Sequence, residues 1–231
     1  GKEGEDTHGV DVRSNFLAIL EAACALNPDE LMLSGDLCFM EGEAEIYDWI
    51  RPHLEKSGVP YRLISGNHDD PTLMAKAFGL DHLMKAGELY YRADYNTFPT
   101  LFLDTTTYEV SQKQLDWLSE QLKAHSGDWI IFMYHPPLLA GVRYMDDHYP
   151  LKNHAAVLSL FQQQPGQIHV FCGHYHVERV VSAGNVTVYV TPSCFFQIHP
   201  YAEAFTIDHY RIGFREIELR DGQLLTTVRY L

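Results

Sequence analysis

Four separate apolar runs in this sequence each stop at a residue whose side chain can bind a metal ion. Residues 63–70 read LISGNHDD, so that an apolar run stops at Gly66 and is followed by an amide, an imidazole and two carboxylates. Pro60 and Pro71 bound this stretch, which leaves the length of one buried strand and a tight loop. The same order recurs in LMLSGD at 31–36, IIFMYHP at 130–136 and IHVFCGHYH at 168–176. The sequence therefore predicts four strands that present polar side chains at their carboxyl ends.

Helical periodicity between these runs gives the fold class. Apolar residues recur at helical spacing in four segments, which are residues 11–26, 43–56, 111–125 and 153–164. The later sequence is richer in strands and predicts hairpins over 179–190 and 214–230, while 136–150 is predicted as a long loop. This alternation indicates an α/β fold, a sandwich of two mixed β-sheets flanked by helices. Ligands of such open sheets gather at the carboxyl ends of the strands, where the four polar loops are predicted to lie.

Charge and composition exclude several classes of partner. The chain has 231 residues, of which 46% are hydrophobic, and we expect one domain over 1–231. Its formal net charge of -14 argues against a nucleic-acid polymer or an anionic membrane as partner, and no apolar run is long enough to span a bilayer. An anionic substrate would need local positive charge, which metal ions can supply. We expect a cytoplasmic protein, and the sequence leaves open whether it is a homo-oligomer.

The candidate ligands are oxygen and nitrogen donors without thiolate. This set suits Mn, Fe, Zn or Co better than a structural zinc site, and the four cysteines show no CxxC spacing. Asp36 is the natural bridge between two ions because a carboxylate has two oxygens. We expect His174 and His176 to point to the same side of an extended segment. The full set of candidate metal ligands is Asp36, Asn67, His135, His174 and His176.

Two ions held about 3.5–4 Å apart can clamp a phosphoryl group and lower the pKa of water to about 7. Hydroxide held by the ions then becomes a usable nucleophile at neutral pH. The ligand types thus predict a hydrolase of phosphate esters with two divalent or mixed-valence transition metal ions. No other cofactor is predicted.

These motifs, taken in order, resemble the calcineurin-like metallophosphoesterases. The likeness rests on Gly35-Asp36, on GNHD at 66–69, on His135 and on GHYH at 173–176. It extends to the bacterial class III cyclic nucleotide phosphodiesterases through GNHDD at 66–70, YHPP at 134–137 and TPSCFFQ at 191–197. The resemblance covers about residues 9 to 220. It implies the metallophosphoesterase type of two-sheet sandwich and hydrolysis of a small phosphodiester, first of all a 3',5'-cyclic nucleotide.

The same resemblance implies a role for each matched residue. One metal ion would be bound by Asp36, Asn67, His135 and His174, and the other by Asp36, His176 and an upstream Asp-x-His. His68 would lie beside the phosphate and act on the leaving oxygen as the catalytic residue. Alternatives remain open, namely that His68 merely orients Asn67, that the substrate is a glycerophosphodiester or another phosphoester, or that the protein is a metal-binding scaffold without turnover.

The upstream motif is where this sequence departs from the family pattern. The family places Asp-x-His at the end of its first buried strand, whereas residues 1–9 are polar and predicted to form a loop. Within that loop, Asp6-Thr7-His8 matches the Asp-x-His pattern. We expect the chain to begin after the true motif, so that the domain lacks its first strand, with Asp6 and His8 as the alternative ligands.

Overall fold

The computed structural model describes residues 1–2, 4–95 and 98–231. Residues 1, 2 and 4–11 contain turns and a bend but no helix or strand, as predicted for the polar amino-terminal segment, and Glu3 lies outside the described residues. The helices that follow are α1 (Val12–Cys24), α2 (Ala44–Ser57), α3 (Pro71–Phe78), α4 (Gln112–Lys123), α5 (Arg143–His148) and α6 (His154–Gln162).

Fourteen strands are described, half of them in the first 133 residues. The first seven are β1 (Leu31–Ser34), β2 (Tyr61–Ile64), β3 (Met84–Lys85), β4 (Glu88–Leu89), β5 (Tyr91–Tyr95), β6 (Phe98–Leu103) and β7 (Trp129–Met133). The others are β8 (Ile168–Cys172), β9 (Arg179–Ala183), β10 (Val186–Val190), β11 (Gln197–Ile198), β12 (Ile207–His209), β13 (Gly213–Arg220) and β14 (Gln223–Tyr230).

A six-stranded mixed sheet forms the centre of the molecule. Its strand order is β5-β6-β7-β8-β10-β9, in which β6, β7, β8 and β10 are parallel and the two edge strands are antiparallel to their neighbours. Alternate side chains of its strands enter two different cores. In β7, Ile131 and Met133 pack on the side of α4 and α6, while Ile130 and Phe132 pack on the side of α2 and α3. The sheet is covered on both faces, which explains why β7 is apolar throughout.

The second strand layer is divided into separate pairs. Strands β1 and β2 are parallel and pair only with each other, and β13 and β14 form an antiparallel hairpin, among the strands that the structure describes. Helix α2 lies against this layer and buries Ile46, Tyr47, Ile50 and Leu54, which share one face at a spacing of three to four residues. The predicted α/β class with mixed sheets is confirmed, with the second layer split.

One local prediction was wrong. The segment 136–150 is not a continuous loop, because α5 lies within it and the Asp146 carboxylate accepts hydrogen bonds from the backbone N–H groups of Ala140, Gly141 and Val142. Asn153 precedes α6 without capping it, since its side chain instead bonds the N–H and carbonyl of Val110. None of the helices in the described residues has the length and apolarity that crossing a bilayer requires.

Candidate metal centre

The predicted polar residues follow the carboxyl ends of β1, β2, β7 and β8, and they meet there. The backbone N–H of His68 donates to Asp36 Oδ1 at 3.0 Å, which joins the β1 and β2 loops. The phenol of Tyr134 donates to Asp36 Oδ2, which joins the β1 and β7 loops. The His135 and His174 rings lie with their centroids 4.1 Å apart, which joins the β7 and β8 loops. Four segments distant in sequence therefore share one site.

Two glycines allow the β1 and β2 loops to approach this closely. A Cβ on Gly66 would lie 2.1 Å from Asp36 Oδ1 and 2.4 Å from the Asp36 nitrogen. Gly35 has φ +98°, and a Cβ there would lie 2.5 Å from the Tyr134 ring. Both glycines are thus required by contact, and Gly35 is required by its conformation as well.

Each of the three site imidazoles is held through one ring nitrogen. His174 Nε2 donates to the Tyr149 carbonyl and His176 Nδ1 to the Phe196 carbonyl, both at 3.0 Å. A carbonyl oxygen can only accept, so the other nitrogen of each ring, His174 Nδ1 and His176 Nε2, carries the lone pair. His135 Nδ1 is 2.8 Å from the Thr105 hydroxyl, which leaves Nε2 facing the site. Metal-binding histidines are commonly fixed in this way through their second nitrogen.

Two buried donor atoms at the site have no hydrogen-bond partner in the described residues. They are Asn67 Oδ1 and His135 Nε2. Buried polar atoms are nearly always paired, since an unmade hydrogen bond costs about 1–3 kcal/mol. Asn67 Oδ1 is a lone-pair donor, and so is His135 Nε2 in the tautomer whose Nδ1 donates to the Thr105 hydroxyl, so a cation would satisfy both atoms. The chemical types of these donor atoms therefore suit a metal ion.

Burial keeps the site histidines neutral. It lowers the pKa of His174 to about 3 and that of His176 to about 4, and it holds the pKa of His135 well below its usual range. Burial has the opposite effect on the nearby carboxyl group and raises the pKa of Asp36. Neutral imidazoles have the free lone pair that metal coordination needs, and a buried carboxylate without a nearby cation is destabilised.

His68 lies at the open side of the site. Its side chain is 37% exposed, and its Nε2 lies 3.9 Å from Asp36 Oδ2. Its Nδ1 is 2.8 Å from the Met40 carbonyl, which must accept from it. An imidazole fixed at one nitrogen and open at the other is able to reach a bound ligand.

Asp69 holds the β1 and β2 loops together. Its carboxylate accepts from the backbone N–H groups of Leu37, Cys38 and Gly66. The Tyr47 hydroxyl donates to it as well, at 3.1 Å. Burial and the charge of Asp36 raise its pKa to about 7. Asp69 thus fixes the backbone on both sides of Asp36.

The expectation that His174 and His176 lie in an extended segment was wrong. Strand β8 ends at Cys172, and both histidines have left-handed backbone conformations, with φ +63° for His174 and +48° for His176. Asp36 is left-handed too, with φ +52°. Such conformations cost of order 1–3 kcal/mol in residues other than glycine and cluster at functional sites.

Comparison with known proteins places the chain in a family. The family model described as calcineurin-like phosphoesterase matches residues 6–178, which is most of the chain. The chain is a calcineurin-like phosphoesterase.

Two curated relatives of this phosphoesterase carry phosphodiesterase names. A protein of Fibrobacter succinogenes named "probable cyclic nucleotide phosphodiesterase" is 34% identical over 100% of this chain and 90% of its own length. A 3',5'-cyclic adenosine monophosphate phosphodiesterase of Escherichia coli is 28% identical over 96% of this chain and 82% of its own length. A solved dimetal phosphatase from Danio rerio has a TM-score of 0.66 at 14% identity, covering 93% of this chain and 86% of the other, and so shares its fold.

The candidate metal ligands lie close together, but they do not surround a common centre. Among the described residues, no three His, Cys, Asp or Glu side chains form a group that could hold a metal ion. In this arrangement the two oxygens of Asp36 accept hydrogen bonds from Tyr134 and from the backbone N–H of His68.

The two alternative ligands Asp6 and His8 lie in the amino-terminal segment. Asp6 is exposed. The His8 ring is surrounded by phenyl rings, among them those of Phe195 and Phe196, at centroid distances of 6.1 and 5.8 Å. The Phe196 ring also contacts His176, at a centroid distance of 5.0 Å.

Two residues that orient candidate ligands were not identified as site residues from the sequence. Thr105 bonds His135, and Tyr134 bonds Asp36. Thr105 follows the end of β6, so that it lies at a fifth strand end beside the four that were recognised. The sequence did show a hydroxyl residue, Thr105, after an apolar run. It could not show that His135 would be the partner of this hydroxyl.

Proposed function

We propose that this phosphoesterase is a metal-dependent phosphodiesterase that hydrolyses a small phosphodiester, first of all a 3',5'-cyclic nucleotide. The observation that carries the proposal is the pair of buried, unpartnered donor atoms, Asn67 Oδ1 and His135 Nε2, beside the Asp36 carboxylate. Family membership implies two metal ions, and the relatives' names support a cyclic nucleotide as substrate.

The ligand assignment is the one that the family resemblance implies, and the free lone pairs agree with it. One ion would be held by Asp36, Asn67 Oδ1, His135 Nε2 and His174 Nδ1, and the other by Asp36, His176 Nε2 and an Asp-x-His pair. Oxygen and nitrogen donors of this kind suit Mn, Fe, Zn or Co. When bound, such a pair of ions supplies charge that neutralises the phosphate and lowers the pKa of water toward about 7.

The chain's own residues would orient the ester and move the proton. His68 faces the open side of the site and is fixed through Nδ1, so its Nε2 can take up a proton from solvent and pass it to the leaving oxygen. The carbonyls of Tyr149 and Phe196 keep His174 and His176 in one tautomer, and the Thr105 hydroxyl orients the His135 ring. The four cysteines, Cys24, Cys38, Cys172 and Cys194, are all free thiols. Free thiols are typical of proteins in the reducing cytoplasm, which supports the proposed cytoplasmic location.

We further propose that residues 1–231 form a single domain. In this domain the space between β1 and β13 would be filled by one additional extended strand. Each of these strands has a partner on one side only within the described residues, and both line a cavity of about 1540 Å³ that reaches Asp36 and His176. Apolar residues of α1 also line it. A strand parallel to β1 would end beside Asp36, where the second ion lacks an Asp-x-His pair.

Hydrogen exchange, measured on the protein purified from its native host, tests for this additional strand. If β1 and β13 each have a neighbour on both sides, their backbone N–H groups on the facing edges will exchange slowly. Rapid exchange along both facing edges would contradict the added strand.

Metal-dependent turnover tests the function. We expect the protein to hydrolyse bis(p-nitrophenyl) phosphate and 3',5'-cyclic AMP with Mn²⁺ and to lose both activities on chelation. His135→Ala should lose bound metal and activity together. His68→Ala should keep its metal and lose about a hundred- to ten-thousandfold in kcat.

The exposed His82 supplies a control histidine. His82→Ala should keep both metal and activity, because its side chain lies outside the candidate centre. Full turnover in metal-free His135→Ala would refute the assigned roles. Metal binding without hydrolysis of any phosphodiester would favour a scaffold of the phosphoesterase fold.

A further inference from the structure

Four phenylalanine rings beside the candidate metal centre form an enclosure that we call the aromatic cage. It consists of Phe39, Phe195, Phe196 and Phe205. Neighbouring rings lie 4.2 to 5.7 Å apart between centroids, in the pairs 39–195, 195–196 and 196–205. Phe196 is buried at the base, Phe39 and Phe195 are half-buried, and Phe205 is 43% exposed at the rim. The cage is therefore closed below and open to the cleft.

A flat heteroaromatic ring already lies in the cage. The His8 imidazole has its centroid 5.8 to 6.1 Å from all four phenyl rings. Its contacts with Phe39 and Phe196 are edge-to-face, with interplanar angles of 79° and 86°. These distances lie within the range of favourable aromatic pairs. His8 belongs to an exposed amino-terminal turn, so another ring could replace it without opening the core.

The cage is connected to the candidate centre through two short backbone links. The carbonyl of Phe196, a cage residue, fixes His176 through Nδ1. The carbonyl of Met40, the residue after Phe39, fixes His68 through Nδ1. A ligand ring in the cage would thus hold its attached groups near His68 and His176.

We propose that the aromatic cage binds the base of a nucleoside phosphodiester and that the His8 side chain occupies this base site in the absence of substrate. The proposal rests on the proposed function and narrows its substrate class, since a glycerophosphodiester has no ring to place there. Four phenyl walls and a resident imidazole favour a flat, uncharged ring over an anion. The ribose would bridge from the cage to the phosphate at the candidate centre.

Substrate preference tests the cage in the metal-loaded protein. Phe205→Ala should lower the ratio of kcat/KM for 3',5'-cyclic AMP to that for glycerophosphoethanolamine about five- to hundredfold, as loss of one base–aromatic contact does elsewhere. Phe39→Leu, which keeps apolar volume but removes the ring, should lower the ratio in the same direction. The matched control Tyr210→Ala removes an exposed ring outside the cage and should leave the ratio unchanged. An unchanged ratio in both cage variants would overturn the proposal while leaving the phosphodiesterase function standing.

A binding measurement separates the cage from catalysis. Saturation-transfer NMR with adenosine needs neither phosphate nor metal, and we expect base-proton signals that weaken in Phe205→Ala and strengthen in His8→Ala. Because aromatic cages also bind quaternary ammonium groups, choline serves as competitor. Displacement of adenosine by choline at equal concentration, or no adenosine signal from the wild-type protein and His8→Ala alike, would refute base binding. A positive signal in a protein without phosphodiesterase activity would refute only the proposed function.

Discussion

Gly66 shows how a residue without a side chain sets the geometry of the candidate centre. Its Cα lies so close to the β1 loop that a Cβ would clash with the Asp36 carboxylate and backbone. Asp69 then ties the Gly66 N–H to the same loop. The position of Asp36 thus depends on contacts with residues thirty positions later in the chain.

Substitution of Gly66 should therefore affect the site and the fold together. Gly66→Ala would place a methyl group 2.1 Å from Asp36 Oδ1, and we expect a loss of about 1–3 kcal/mol in the free energy of unfolding along with weaker Mn²⁺ binding. Chemical denaturation and metal titration measure the two effects. The control is Gly222→Asn, where nothing lies within 4 Å and asparagine tolerates φ +76°. Equal behaviour of the two variants would argue against a close approach at Gly66.

Thr105 allows a second test at the residue scale. Thr105→Val keeps the shape of the side chain but removes the hydroxyl that bonds His135 Nδ1, so the ring loses its fixed orientation. We expect Mn²⁺ affinity to fall about ten- to a hundredfold, as for other residues that orient metal-binding histidines. Thr107→Val, at an exposed position on the same segment, should leave affinity unchanged. Unaltered affinity in Thr105→Val would show that His135 does not depend on this contact.

At the scale of elements, the β2 loop leads directly into α3. Asp70 caps this helix, since its Oδ1 accepts from the N–H groups of Thr72 and Leu73 at 2.8 and 2.9 Å. Pro71 occupies the first helical position, where no N–H donor is needed. The cap therefore fixes where the helix starts and, with it, where the loop of Asn67 and His68 must end.

Removal of the cap should cost stability rather than chemistry. We expect Asp70→Ala to lower the free energy of unfolding by about 0.5–2 kcal/mol because two helical N–H groups lose their acceptor. Asp70→Asn retains an acceptor oxygen and should lose much less. Denaturant midpoints at constant slope give both values. If the two variants were equally destabilised, the loss would come from charge and not from capping.

At the scale of the whole molecule, the candidate centre joins loops from both strand layers. Asp36 and Asn67 follow β1 and β2 in the divided layer, whereas His135 and His174 follow β7 and β8 in the six-stranded sheet. A cation held by all four would therefore link the two layers. The net charge of -14 should make such neutralisation favourable for the folded state.

Metal binding should accordingly raise the thermal stability of the whole protein. At Mn²⁺ concentrations about a hundredfold above Kd, the expected stabilisation of about 2.7 kcal/mol corresponds to a rise in Tm of roughly 5–10 °C for a domain of this size. Differential scanning fluorimetry with and without chelator measures the shift. His135→Ala should abolish it and His82→Ala should retain it. An identical rise in His135→Ala would indicate binding elsewhere on the acidic surface.

The sequence by itself determined the strand ends and the donor types that follow them. An apolar run, a glycine and a polar residue are local features, and they predicted the four loops that meet at the candidate centre. The α/β class followed for the same reason, because the periodicity of helices and strands is written in neighbouring residues.

Only the tertiary structure decided how each donor is held. The Tyr149 carbonyl selects the tautomer of His174, and that of Phe196 selects the tautomer of His176, from 25 and 20 positions away in the chain. The left-handed conformations of these histidines and the place of His8 in the aromatic cage depend on similar distant contacts. Periodicity does not report such contacts, since hydrogen bonds and ring packing between distant segments exist only after the chain has folded.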